Sequence, residues 1–309
     1  MIDAEKYGVS FSVKQCRSMA LNWETCLSWA IKQGWRRFRL MSYWDEIEQE
    51  KDTYDFADLD KQIATISQAG GVISLCLGVK QPRWPEYHWP GWAMNMSPQH
   101  RTAELLAFVY SVVRRYRGNP AIISWQLENE ALLSNFGLHI QIDRKRLCDE
   151  FSIVRDLDKQ RPIILSTSNG WGLPAREPIP DIIGFSYYGV MHKNNRYHRT
   201  IHRPWLYKTR AYVGNQLLGK PTFIHELQLE PWGPEAIWQM TTAEQNKSMS
   251  QVHIQKNIAS AKKIGAYPID MWGLEWWYWR YQNNDSSIWQ AVRTSLNDET
   301  ALLPSAVAA

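Results

Sequence analysis

The chain has 309 residues, of which 44% are hydrophobic and 21% charged, and a formal net charge of +4. That length supports one large domain with a substantial core, and no linker or low-complexity stretch divides it. The mild positive balance lacks a dense Lys/Arg block, and Arg114, Arg115 and Arg117 fall on an ordinary helix face, so nucleic acid is not an expected partner.

In chain order, apolar strand-like runs alternate with helix-like periodicity. A strand is expected over 7–12 and a helix over 23–33 ending at Gly34. A second strand over 36–43 precedes a helix over 56–69, stopped by Gly70 and Gly71. A third strand, 72–77, leads into the Trp/Pro-rich loop GVKQPRWPEYHWPGWAMNM. Ser97 and Pro98 then supply an N-cap and first-turn proline for a helix reaching Arg117, with Leu105, Leu106, Val109, Val112, Val113 and Tyr116 at helical spacing. Strand four begins at Ala121, a helix covers about 143–159, and strand five is 162–166. Strand six, 181–188, follows after only a short connection. A helix at 206–218, strand seven at 222–226, a long helix from Thr242 to Ile264 with Thr242 and Gln245 as a capping-box pattern, strand eight at 267–272 and a helix near 287–296 complete the series. Eight strands with interleaved helices over about 300 residues predict a single α/β domain, a (β/α)8 TIM barrel.

Two of these strands end in acid. AIISWQLENEALLSNFG passes from buried-strand residues to Glu128, Asn129 and Glu130, and KPTFIHELQLEPWG passes from an apolar start to Glu226. The C-terminal ends of barrel strands carry the chemistry of this fold, and two glutamates there point to paired-carboxylate acid/base or nucleophilic work. Period-two alternation puts Glu128 on the same side as Glu130, a bulge would separate them, and the role of Glu128 stays open; the same alternation turns His225 off the catalytic face.

The joint pattern resembles the retaining glycoside hydrolases of clan A, the cellulase-like (β/α)8 group, over about residues 7–296. Asn129-Glu130 matches the Asn-Glu pair at the end of strand four, and Glu226 the second glutamate at the end of strand seven. FRLMSYWDEIEQEKDTYDFADLD resembles strand two and its loop, with Arg39 as the strand-two arginine. FSYYG places Tyr187 or Tyr188 as the strand-six tyrosine, and DMWGLEWWYW supplies Trp272 or Trp276 as the strand-eight tryptophan. The chain departs from cellulase-like members where Lys80, Gln81 and Trp84 replace a strand-three histidine, and where Phe185-Ser186-Tyr187 replaces a His-x-Tyr. The resemblance implies a double displacement with Glu226 as nucleophile and Glu130 as acid/base, Asn129 binding the sugar's 2-hydroxyl, and a β-linked glucan or related saccharide as substrate. An exo-acting β-galactosidase or β-mannosidase, and a catalytically silent carbohydrate-binding barrel, are the alternatives. No metal or organic cofactor is required, and a monomer is expected.

Seventeen Trp and 14 Tyr suit sugar stacking as well as core packing. Trp84, Trp89, Trp92, Trp171, Trp232, Trp276, Trp277 and Trp279 fall in or beside expected top loops, and about half are assigned to packing. His192, His198 and His202 lie in a polar stretch without a neighbouring carboxylate, which favours a solvated loop over zinc. Cys16 and Cys26 are close enough in sequence for a disulfide, while Cys76 and Cys148 read as buried thiols. The opening MIDAEKYGVSFS has no basic-then-apolar leader. A secreted or cell-surface protein without its export segment is preferred over a cytoplasmic one.

Overall fold

The computed structural model describes residues 2–131, 133, 137, 143–170, 172–200 and 203–298. Trp171 and His202 lie outside the described residues. The strands are β1 (Tyr7–Phe11), β2 (Arg37–Met41), β3 (Val72–Leu77), β4 (Ile122–Leu127), β5 (Ile163–Thr167), β6 (Ile182–Tyr187), β7 (Val190–Lys193), β8 (Arg196–Arg199), β9 (Thr222–Gln228) and β10 (Ile269–Trp272). All but β7 and β8 pair in parallel and close in the order β1-β10-β9-β6-β5-β4-β3-β2, the expected (β/α)8 barrel. Burial on both faces explains why these strands read as nearly continuous apolar runs. The antiparallel pair β7–β8 is a hairpin after β6 that the polar, His-rich sequence did not announce.

The helices are α1 (Val13–Ser18), α2 (Trp23–Lys32), α3 (Trp44–Ile47), α4 (Ala57–Gln68), α5 (Pro98–Tyr116), α6 (Arg144–Leu157), α7 (Pro204–Tyr212), α8 (Thr242–Ser248), α9 (Gln251–Ile264), α10 (Leu274–Gln282) and α11 (Ser287–Asn297). The signals at α5 hold: the Ser97 hydroxyl accepts from the His100 N–H and Pro98 occupies the first turn. The single helix expected over 242–264 is two. Thr241, not Thr242, caps α8 by accepting from the Glu244 N–H, and Ser250 with His253 makes the capping box that starts α9. Gln245 is a core residue, its amide donating to the carbonyls of Ile237 and Met240. Among the described residues, β5 and β6 are joined without a helix.

Two points that the sequence left open are decided by burial and bonding. Cys16 and Cys26 are both buried free thiols, not a disulfide, and Cys148 is half-buried. Trp276 and Trp277 sit on α10, fully buried, with the Trp276 Nε1–H donating to Gln245 Oε1 at 3.0 Å and the Trp277 Nε1–H to the Leu229 carbonyl at 2.8 Å. Their faces belong to the core, so Trp276 is no sugar platform. No helix among the described residues is long and apolar enough to cross a membrane.

Candidate active site

The candidate residues converge at the C-terminal mouth of the barrel. β4 delivers its acids through a backbone that leaves the strand conformation: Glu128 and Glu130 both adopt left-handed φ, 50° and 45°. Such non-glycine conformations cost on the order of 1–3 kcal/mol each and persist where the surroundings over-determine them. This double twist aims the two glutamates apart. Glu128 is fully buried, takes the backbone N–H groups of Val79 and Lys80, and pairs with Arg146 of α6 at 2.8 Å. A Cβ at Gly78 would lie 2.5 Å from the Glu128 carboxyl carbon, so that position has no room for a side chain. Glu128 is thus a strut between the loop after β3 and α6.

Glu130 turns into the mouth. Its N–H donates to Ser166 Oγ of β5 at 2.8 Å, and Ser186 Oγ of β6 donates to its Oε1 at 2.7 Å. Burial and the negative charge of Glu226 push its carboxyl up to about 7, against partial relief from the Ser186 hydroxyl, Lys80 and Arg39.

Glu226 arrives from β9 through a bulge. Phe185 pairs with Ile224 but Ser186 with Glu226, and on the other side Ile269 pairs with Ile224 and Met271 with Leu227. The extra residue breaks the period-two alternation, so His225 and Glu226 both face inward, contrary to the expectation for His225. The imidazole lies inside the barrel, Nδ1 2.7 Å from Asp270 Oδ2 and Nε2 2.7 Å from Gln126 Oε1. A Cβ at Gly184 would stand 2.7 Å from that of His225, which is why β6 carries a glycine beside the bulge.

Arg39 of β2 joins the parts. Its Nη1 meets Glu226 Oε2 at 2.8 Å, Nη2 donates to Asn129 Oδ1 at 2.9 Å, and Nε to Gln126 Oε1 at 2.7 Å. Of the two strand-six tyrosines the structure selects Tyr188, whose hydroxyl donates to Glu226 Oε1 and whose ring meets Trp232 edge-on. Tyr187 packs instead against Tyr207 in the core.

The aromatic expectations divide. Trp272 of β10 borders the site, but the Arg83 guanidinium lies 3.9 Å from its ring centroid and covers that face. Arg83 also pairs with Glu230 beyond β9 and, at 2.6 Å, with Glu275 of α10, so the loop after β3 is strapped across to the loops after β9 and β10. Within that loop Trp84 stands exposed at 67%, whereas Trp89 is buried against Trp44 and Trp92 packs on the same ring. Trp279 packs against the core and Trp232 is half-buried. His192 lies against Tyr197, and His198 Nε2 is 3.1 Å from the Lys193 carbonyl. Among the described residues no group of three His, Cys, Asp or Glu is set to hold a metal ion. A cavity of about 610 Å³ opens at the opposite end of the barrel, lined by Arg37, Ser124, Pro162 and Pro268, with no carboxyl pair in it.

Sequence reasoning missed Ser166, Ser186, Arg83 and Glu86. Glu86 is buried in the loop after β3, with Oε2 accepting from Asn129 Nδ2 at 3.1 Å. The sequence signal for it was that it is the single acid in the Trp/Pro-rich run GVKQPRWPEYHWPGWAMNM.

Known proteins resemble the chain in part of its sequence and in its fold. No protein-family model matches the chain. It is similar to β-galactosidase BgaH of Haloferax lucentense, 29% identical over 136 residues, which is 38% of this chain and 20% of that protein. The aligned region is therefore about a fifth of that relative's length. Among solved structures, the β-galactosidase of Halorubrum lacusprofundi superposes with a TM-score of 0.59 at 14% identity, over 86% of this chain and 52% of that one. A family 10 endo-β-1,4-xylanase from Gloeophyllum trabeum gives 0.64 at 13% over 95% and 96% of the two chains. A GH5_18 protein from Streptomyces cattleya, solved with GlcNAc, gives 0.63 at 11% over 97% and 82%. These structural likenesses establish the shared barrel.

Proposed function

We propose that the chain is a retaining β-glycoside hydrolase with Glu226 as nucleophile and Glu130 as acid/base. The observation that carries this reading is the unequal treatment of two glutamates at one barrel mouth. Glu226 receives Arg39 and the Tyr188 hydroxyl, groups that suit an attacking carboxylate. Glu130, buried and pushed up to about 7, retains a proton to give to a leaving oxygen. In the first step Glu226 bonds to the anomeric carbon as the glycosidic bond breaks and Glu130 protonates the departing oxygen. In the second, Glu130 takes a proton from water, which displaces Glu226 with net retention. Asn129, held by Arg39, presents its amide toward the sugar's 2-hydroxyl.

A β-linked glucan or related saccharide is the proposed substrate class. A second reading, exo-action on a terminal sugar in the manner of a β-galactosidase or β-mannosidase, is favoured by how deeply the two carboxyls sit. Both carboxyls are under 10% exposed, and Arg83 bridges three loops beside them.

The test separates the roles by azide rescue on activated aryl β-glycosides. Glu130→Ala should still be glycosylated by good leaving groups, accumulate intermediate, and turn over faster with azide to give the β-glycosyl azide. Glu226→Ala should be inactive alone and yield only the α-azide. Opposite products reverse the assignment, and an inverted product from the wild type ends the retaining mechanism.

A further inference from the structure

The mouth holds a third carboxyl that the double displacement does not use. Glu86 sits in a tight turn after β3: its N–H donates to the Arg83 carbonyl at 2.7 Å, its carbonyl accepts from the Gln81 N–H at 2.8 Å, and Lys80 bridges to Tyr87. Its φ of 72° is one that asparagine or glycine adopts at lower cost, so turn geometry alone does not call for glutamate. The side chain is 5% exposed, with Oε2 engaged by Asn129 Nδ2. Oε1 has no hydrogen-bond partner among the described residues. Lys80, whose charge acts on Glu86, directs its Nζ to the carbonyls of Glu130 at 3.0 Å and Leu133 at 3.4 Å instead.

We propose that Glu86 reads the substrate: one carboxyl oxygen holds Asn129, and the other hydrogen-bonds a hydroxyl of the sugar seated between Glu130 and Glu226. This rests on the glycosidase reading. Burial and the charges of Glu130 and Glu226 push the Glu86 carboxyl up to about 8, against the opposing pull of Lys80, so near neutrality it can both donate and accept. A sugar hydroxyl has the same two capacities. Because a buried polar group is left unpaired when its partner is missing, such a contact discriminates strongly against a sugar lacking or inverting that hydroxyl.

The experiment measures kcat/KM for wild type, Glu86→Ala and Glu86→Gln on the 4-nitrophenyl β-glycoside cleaved best, and on its 3-, 4- and 6-deoxy analogues. For wild type, one deoxy analogue should fall at least ~100-fold below the parent, the scale of discrimination by a site built around a hydroxyl. In Glu86→Ala that ratio should shrink to within about tenfold, because the parent loses rate and the deoxy analogue does not. Glu86→Gln keeps the shape and an acceptor for Asn129, and should show a partial loss confined to the same hydroxyl. If both variants slow parent and analogues equally, Glu86 only shapes the loop and the proposal falls. Should Glu86→Ala fail to fold, Glu86→Gln decides by the same comparison. A Glu226→Ala control separates the levels: an inactive control with no coupling at Glu86 removes this inference alone. A control as active as wild type, or a wild type inactive on all aryl β-glycosides, removes the glycosidase reading and this inference with it.

Discussion

Glu130→Gln tests the electrostatic core of the site through stability. A buried carboxyl whose ordinary value is 4.5 but which is pushed up to about 7 binds its proton more tightly folded than unfolded. The sign follows. Below 4.5 both states are protonated and nothing is lost; between 4.5 and about 7 the folded state holds the extra proton, so stability falls as pH rises; above 7 the full penalty persists. At roughly 1.4 kcal/mol per pH unit the penalty reaches about 3 kcal/mol. Glutamine has the same shape, can still accept from the Ser186 hydroxyl, and cannot ionise. The variant should therefore match wild type near pH 4.5 and exceed it by up to about 3 kcal/mol at pH 8, at about 2 °C of Tm per kcal/mol for a chain of this size. Glu86, also buried, remains in both proteins but is freed in the variant from the charge of Glu130 that helps push it up, so its change widens the gap in the same direction. Paired calorimetric scans from pH 4.5 to 8 provide the measurement. In the proposed mechanism the same proton goes to the leaving oxygen, so wild-type kcat/KM on an alkyl β-glycoside should decline above about pH 7. A stability gap that stays constant across the range, or that shrinks with rising pH, would refute the reasoning.

Two further substitutions probe the frame. Arg39→Met removes the buried partner of Glu226 and the donor to Asn129, and should cost about 3–5 kcal/mol by denaturant titration at neutral pH, together with most of kcat. Preserved stability would mean that the ion pair is dispensable. Trp84→Ala should leave Tm nearly unchanged while raising KM for oligosaccharides, whereas Trp89→Ala, deleting a ring packed on Trp44, should cost about 3–5 kcal/mol; a destabilised Trp84→Ala would assign that residue to packing.

The barrel was legible because doubly buried parallel strands leave continuous apolar runs, and because caps such as Ser97-Pro98 and stops such as Gly34 and Gly70 act locally. The acids at the ends of β4 and β9 were legible for the same reason, since a buried run that turns abruptly to Glu marks its own exit. What failed was anything depending on exact backbone direction. The bulge at His225 is set by pairing with β6 and β10, strands distant in sequence, so period-two reasoning sent its side chain the wrong way. The choice between Tyr187 and Tyr188 turns on where β6 ends. Composition likewise could not tell a tryptophan on α10 from one in a loop, because the LEWWYW run has no polar face to betray its burial. The loop after β3 looked like a row of sugar platforms, yet it is strapped down through Arg83 and its two carboxylates, with Trp89 buried, Trp92 partly buried and Trp84 exposed.

The division of labour among the three mouth carboxyls follows from how few cations reach them. Glu86, Glu130 and Glu226 share a buried region with Arg39 and Lys80. Arg39 spends one N–H directly on Glu226, while Lys80 turns its ammonium to backbone carbonyls and acts on Glu86 and Glu130 only at a distance. A low-dielectric pocket does not hold several uncompensated negative charges, so the carboxyls without a direct ion pair keep their protons. A single arginine placement thus distinguishes the three: Glu226 holds the direct ion pair, while Glu86 and Glu130 are pushed above the ordinary carboxyl range. In the proposed mechanism the residue paired with Arg39 is the nucleophile, and the two raised carboxyls are those that donate to a leaving oxygen and to a sugar hydroxyl. On that proposed mechanism, moving Arg39's contact from Glu226 to Glu130 would exchange the roles assigned to those two residues without altering either side chain.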